Sequence, residues 1–342
     1  MPKTPSYLKF DYEKFNKKNL MKILSKFKDP KKIKILYIST YFPNYTRSET
    51  ILNLFDKLKI KYKPLLVGKS NYLKAIYNLI KHQKNYDLVF VAFRGHEILP
   101  FIKLFTRKPI IFDAFISVYD TLCFDRKKIK PNSLFGRLLK RYDKYLCKRS
   151  DIVLVDTKTH SEYFKKEFNC KNIDYLYVGC NKKLFMPLKI KEKSKKFTVF
   201  WYGSSNPLQG AKVILKTAKK LESKKNVIFK LVGPLRKKYP KLIKKLNLKN
   251  VEFIDYIGYK SLPNEINKSD LCLGGHFSKI NKAKRVIAGK TFQFLTCNKP
   301  TIVGDCKSNR ELFDENTKNV YFVKMNNSNY LAKKILEVKN EK

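Results

Sequence analysis

No run of roughly 18 apolar residues occurs in this 342-residue chain, so no membrane-spanning helix is expected. Its start, MPKTPSYLKFDYEKF, lacks the apolar core of a signal peptide, and a cytosolic location is the expectation. The seven cysteines include no pair at C-x-x-C spacing. That argues against a zinc or disulfide framework and leaves reduced core thiols. The four histidines (His82, His96, His160 and His276) stand apart, with no H-E-x-x-H, so no metal site is expected. No G-x-G-x-x-G follows the first apolar run, which removes the main signal of a dinucleotide oxidoreductase. Gly68-Lys69-Ser70 and Gly289-Lys290-Thr291 look like the end of a phosphate loop. Lys63 and Lys284 stand where its leading glycine belongs, which argues against a P-loop ATPase.

Acidic residues are also scarce. Only 28 Asp+Glu offset 75 Lys+Arg, a formal charge of +47. Such a balance invites a nucleic-acid partner. The cations are spread along the whole chain, however, and most are Lys, whereas base readout favours the bidentate Arg. No specific nucleic-acid binding is expected. Attraction to phosphorylated ligands and to an anionic membrane surface is expected. A 43% hydrophobic fraction supplies a core for two domains, and 14 Pro with 12 Gly is not a disordered profile.

Along the chain, short apolar runs alternate with helix-like segments. IKILYIST, YKPLLVG, DLVFVAF, KPIIFDAF and DIVLVDT read as buried strands, separated by amphipathic stretches. FTVFWYG opens a second series that continues through VIFKLVG, VEFIDYI, DLCLGG, PTIVGD and VYFVK. This pattern predicts an α/β protein of two tandem doubly wound, Rossmann-like domains facing a cleft. The expected boundaries are a basic N-terminal extension at 1–32, a first domain at 33–187 and a linker at 188–196. A second domain spans 197–325. A C-terminal helix follows at 326–342, capped by Ser328 and able to pack back on the first domain.

The stretch from Lys282 to Glu311 carries the chemistry. Its cations Lys282, Arg285 and Lys290 converge on a helix start at Ala288-Gly289, and a helix N-terminus with nearby cations is an anion site. In WYGSSNPLQGAK, Gly203, Ser204 and Ser205 join a strand to a helix where backbone can approach a ligand closely. His96 and His276 each follow a strand end, where side chains face a cleft. Asp113, Ser117 and Asp120 follow another. As candidates, His96 or Asp113 can serve as a base, and Ser117 and Asp120 can bind acceptor hydroxyls. Turn and cap roles remain open for these residues.

WYGSSNPLQGAKVILKTAKKL, LVG, VEFIDYI, SDLCLGGHF and SKINKAKRVIAGKTFQFLTCNKPTIVGDCKSNREL, in that order, resemble the donor-binding half of family 4 retaining glycosyltransferases of the GT-B fold. IFDAFISVYDTL and SDIVLVDTKTHSEYFKKEFN are similar to acceptor-domain segments of the family. The resemblance implies sugar transfer from a nucleotide-diphosphate sugar to a glycan or lipid-linked acceptor, with retention and without a metal or other cofactor. It implies that Gly203 to Ser205 approach the donor phosphates and that Lys282, Arg285 and Lys290 neutralise them. Gln293 stands where the family usually has Glu on the ribose hydroxyls, and Glu311 matches a closing acidic residue. The enzyme is expected in the cytoplasm, peripheral on the inner face of a membrane. Two rivals remain open: a non-catalytic glycosyltransferase-like binding protein, favoured by Gln293, and a nucleic-acid-binding protein driven by charge.

Overall fold

Runs such as Leu88–Val91 and Ile152–Val155 are buried at every position, which only a sheet covered on both faces permits. The computed structural model describes residues 11–40, 45–67, 72–190 and 194–341. Gly68-Lys69-Ser70 and part of the expected linker lie outside the described residues, as do the first ten positions. The chain divides between Gly179 and Cys180 into two units.

The N-terminal unit alternates α1 (Tyr12–Leu24), β1 (Lys34–Ser39), α2 (Thr46–Lys57), β2 (Lys61–Leu66), α3 (Tyr72–His82) and β3 (Leu88–Val91). It continues with α4 (Leu99–Phe105), β4 (Ile110–Asp113), α5 (Leu134–Arg149), β5 (Ile152–Val155), α6 (Lys158–Phe168) and β6 (Ile173–Tyr175). Its six strands are parallel in the order β2-β1-β3-β4-β5-β6. Alternate strand residues serve opposite faces. Leu36, Val89 and Phe112 pack with α3, α4, α5 and α6, while Ile35, Phe90 and Ile111 pack with α1 and α2. Pro64, which cannot donate to a ladder, is tolerated because β2 is an edge.

The segment read as a basic extension is part of this unit. Leu20, Ile23 and Leu24 of α1 are fully buried, and Asn16 and Asn19 bond to the backbone at Tyr177 and Tyr175. Its lysines occupy the opposite face of an ordinary amphipathic helix.

The C-terminal unit runs β7 (Phe197–Tyr202), α7 (Ala211–Lys220), β8 (Val227–Val232), α8 (Leu235–Lys238), α9 (Pro240–Leu246), β9 (Val251–Ile254) and α10 (Leu262–Lys268). It then runs β10 (Leu271–Gly275), α11 (Gly289–Thr296), β11 (Thr301–Gly304), α12 (Lys307–Leu312), β12 (Val320–Val323) and α13 (Ser328–Asn340). Its parallel order is β12-β11-β10-β7-β8-β9. Three expectations are corrected here. The helix expected to pack back on the first domain instead puts Leu331, Ala332, Ile335 and Val338 into the core of its own unit, against α7. Its cap is Asn327, which accepts from the N–H groups of Asn329 and Tyr330, so Ser328 is already the first helical residue. The passage between units also falls before the charged stretch at 188–196, because Phe185 is fully buried in the second core. Among the described residues no helix is long and apolar enough to cross a membrane.

Candidate functional site

In the C-terminal unit the chain lays β7, β8 and β9 outward in one direction and then returns to put β10 on the other side of β7. The carboxyl ends of β7 and β10 therefore form a switch point, where open α/β sheets bind ligands. The turn after β7 is tightly built. Gly203 N–H donates to the Val232 carbonyl at 3.0 Å. Ser204 is exposed, whereas Ser205 is buried in a left-handed conformation with φ 56°. Gly210, at φ 77°, closes the turn, and a Cβ there would sit 2.7 Å from both Phe277 C and Ser278 N. The turn thus lies directly against the backbone that follows β10. Gly210→Ala should cost at least ~2 kcal/mol and shift that backbone, since strain and overlap coincide. A urea midpoint equal to that of the parent would contradict this packing.

Lys290 lies in the first turn of α11 yet is only 6% exposed. Its Nζ donates to the Tyr202 carbonyl at 2.8 Å and stands 4.4 Å from the centre of the Trp201 ring. Among the described residues no carboxylate pairs with it. Burial pulls its pKa from 10.5 to about 7. His276 immediately follows β10, and burial, with help from Lys290 and Lys282, pushes it down to about 3. His276, Lys282 and Lys290 are all buried, and the charges of the two lysines both act on His276. On β7 and the turn after it, just past β10 and in α11, Trp201 Nε1, Ser205 Oγ, Gln209 Oε1, His276 Nδ1 and Thr291 Oγ1 are buried without a hydrogen-bond partner. Buried polar groups are normally satisfied, so this concentration points to a polar ligand. The two lysines and the N-terminus of α11 make that ligand an anion.

Gln293, 1% exposed, joins the same strand end, since its Oε1 accepts the phenolic proton of Tyr202. Arg285 is half-buried just beyond Lys282, and its N–H donates to the Lys282 carbonyl at 3.0 Å. Glu311 is half-buried on α12, which packs against the turn at 281–284. The sequence reading passed over Trp201, Tyr202 and Thr291. Trp201 is the chain's single tryptophan, and that was the one available signal.

The candidates of the N-terminal unit are placed differently. Asp113 is 1% exposed and takes Arg47 Nε at 3.1 and 2.9 Å and Nη2 at 2.8 Å. Arg47, fully buried, also donates to the Val155 and Leu176 carbonyls. Both carboxylate oxygens are thus engaged by Arg47. Ser117 is fully buried and donates to Asp143 Oδ2 at 2.6 Å, while its Oγ accepts from the Asp120 N–H at 2.8 Å. Asp143 also accepts from the N–H groups of Val118 and Tyr119, and burial pushes its pKa up to about 6. Asp120 is 1% exposed. The Ser117 hydroxyl and the Asp120 N–H therefore help to lock the turn after β4. His96 is 6% exposed and lies past β3, which flanks the switch point of this sheet. Its Nε2 bonds to the Ile116 carbonyl at 3.0 Å, so the neutral ring carries its lone pair on Nδ1.

Residues 185–342 match a family model described as glycosyl transferases group 1. No curated protein sequence matches the chain. Among solved structures, HepE from Anabaena in complex with UDP is 15% identical, with a TM-score of 0.63 over 90% of both chains. Sucrose-phosphate synthase from Thermosynechococcus elongatus is 13% identical, with a TM-score of 0.66 over 91% of this chain and 90% of that one. A putative UDP-N-acetylglucosamine 2-epimerase from Listeria monocytogenes is 13% identical, with a TM-score of 0.55 over 90% of this chain and 88% of its own. At such identities the likeness is one of fold. The chain has the GT-B fold of two Rossmann-like domains, and Lys282, Lys290 and Gln293 all lie in the part that matches the group 1 glycosyl transferases.

Proposed function

We propose that the chain is a glycosyltransferase that moves a sugar from a nucleotide-diphosphate sugar to a hydroxyl of a glycan or lipid-linked acceptor, with retention and without a metal. The observation that carries this reading is the buried, carboxylate-free Lys290 in the first turn of α11, held on the Tyr202 carbonyl at the end of β7, with the buried Lys282 acting alongside it on His276. Such a group stabilises the charge that grows on a departing diphosphate. Arg285 adds charge at the rim, and the backbone from Gly203 to Ser205 supplies the close approach. Gln293 and Glu311 are assigned to the nucleotide side. His96 is the candidate base of the N-terminal unit. The protein works on the inner face of a membrane as a peripheral enzyme of glycan biosynthesis.

The same fold carries a chain described as an epimerase, so fold alone does not choose the reaction. The family match over 185–342 favours transfer. The test is a panel of UDP-, GDP- and ADP-sugars in EDTA. One nucleotide at about 100 times its Kd should stabilise by ~2.7 kcal/mol, and its sugar should be released or transferred with the diphosphate set free. No stabilisation by any nucleotide would sink the reading, and an epimerised sugar still joined to its nucleotide would replace it.

Gln293 favours a second reading, a non-catalytic binding protein. An amide accepts hydroxyl hydrogen bonds more weakly than a carboxylate, by about twofold in strength. Gln293→Glu should therefore tighten nucleotide binding roughly tenfold, through charge-assisted bonds to the ribose. If the parent binds nucleotide but never turns over, while the variant does, the second reading holds.

A further inference from the structure

Three adjacent helices of the N-terminal unit carry large apolar side chains outward. On α3, Leu73, Tyr77 and Ile80 form one stripe at helical spacing, and Leu73 is 83% exposed. The opposite side of the same helix is already satisfied, because Leu79 is buried in the core. On α4, Phe101, Leu104 and Phe105 are exposed. On α5, Leu134, Phe135 and Leu138 are exposed. Helix α3 packs on α4, and α4 on α5, and all three cover the same face of the sheet, so the stripes adjoin. Among the described residues of the C-terminal unit, the exposed large apolar side chains are Met186, Leu188, Tyr256 and Tyr330, and they form no such stripe.

The charge of this face is one-sided. Helices α3 and α4 contain no carboxylate, and the single one of α5, Asp143, is 3% exposed. Lys74 and Lys81 flank the stripe of α3, and Arg137, Arg141, Lys144 and Lys148 line that of α5, all exposed. Lys81 stands 5.6 Å from the ring centre of Tyr77 and Arg149 5.2 Å from that of Tyr145, pairing cations with interfacial aromatics. An apolar face edged by cations fits one kind of partner, in which acyl chains lie beneath a layer of negative headgroups. A second copy of the chain does not fit, because the symmetric contact would press cation against cation.

We propose that the outer face of α3, α4 and α5 docks on an anionic phospholipid bilayer. The proposal extends the reading of a lipid-linked acceptor, and its evidence is independent of the donor site. The test is co-sedimentation of the full chain with vesicles of equimolar phosphatidylglycerol and phosphatidylcholine, and with vesicles of phosphatidylcholine alone. The parent should bind the anionic vesicles, and the Leu73→Ser/Leu104→Ser/Phe135→Ser variant should bind them about tenfold more weakly. All three side chains are exposed, so the melting temperature should not move, and titration with UDP, GDP and ADP in parallel checks the donor site. A parent that ignores anionic vesicles overturns the proposal, as does a triple variant that binds like the parent. A triple variant that only turns a dimer into a monomer also overturns it. Loss of vesicle binding with nucleotide binding kept leaves the transferase reading standing, and vesicle binding with none of the three nucleotides bound removes that reading alone.

Discussion

Lys290→Met should give a protein that melts higher than the parent at pH 7 and no longer binds a nucleoside diphosphate. The reason is the pKa of Lys290. Its fall from 10.5 in water to about 7 means that the folded state binds the proton less well than the unfolded chain. Between those values the unfolded state holds more protons, so stability rises as pH climbs from about 7 to 10.5. Below about pH 7 the full penalty applies, up to about 4–5 kcal/mol. Methionine fills a similar volume and removes that penalty, but loses the bond to the Tyr202 carbonyl and the contact with Trp201. A net gain of ~2 kcal/mol, or about 5 °C in Tm, is expected. A lower Tm with unchanged nucleotide affinity would refute the assignment of this lysine.

The same group makes binding depend on pH. The ionisable groups around Lys290 are His276 and Lys282, both basic, and the Tyr202 phenol, which burial pushes up. None of these supplies a negative charge near neutrality. A bound diphosphate does, and it raises the pKa of Lys290, so binding takes up a proton above about pH 7. Affinity should weaken as pH climbs from there. Calorimetry in buffers of different ionisation heat reads that proton directly, and Lys290→Met should abolish the uptake.

Arg47→Met should be the most damaging single change in the N-terminal unit. It leaves the Asp113 carboxylate buried without its partner, at an expected cost of 3–5 kcal/mol, roughly. Asp113→Leu alone strands the guanidinium in the same way. Combining Arg47→Met with Asp113→Leu should recover most of the loss, because neither charge is then left alone. Urea midpoints of the two single variants and the double one decide this. Additive losses would show that the pair is not coupled. If Asp113 were instead a base, Asp113→Asn would spare folding and remove turnover.

The strands were legible because both faces of each sheet are buried, so that runs such as LVFV and IVLV are apolar throughout. The place of Lys290 in the first turn of α11 was legible because Ala288-Gly289 marks a helix start. What escaped the sequence has a common cause in the lysine background. Helix α1 was read only as part of a basic extension because its lysines mask the spacing of Leu20, Ile23 and Leu24. Asp143 sits in a helix rich in Lys and Arg, and nothing local shows that it accepts three bonds from the turn at 117–119. Arg47 reads as one more surface cation until the sheet brings Asp113 beneath it. Long-range pairing of that kind is created by topology and has no periodicity to betray it.

Gly203 and Gly233 meet where β7 and β8 end. A methyl group on Gly233 would lie 2.0 Å from the Gly203 carbonyl oxygen, so there is no slack between the two loops. Folding therefore fixes the backbone of the candidate donor site before any ligand arrives. A nucleotide that settles there encounters a preorganised surface and forfeits little chain entropy. Selectivity among nucleotides would then come from shape and bonding rather than from the work of ordering a loop.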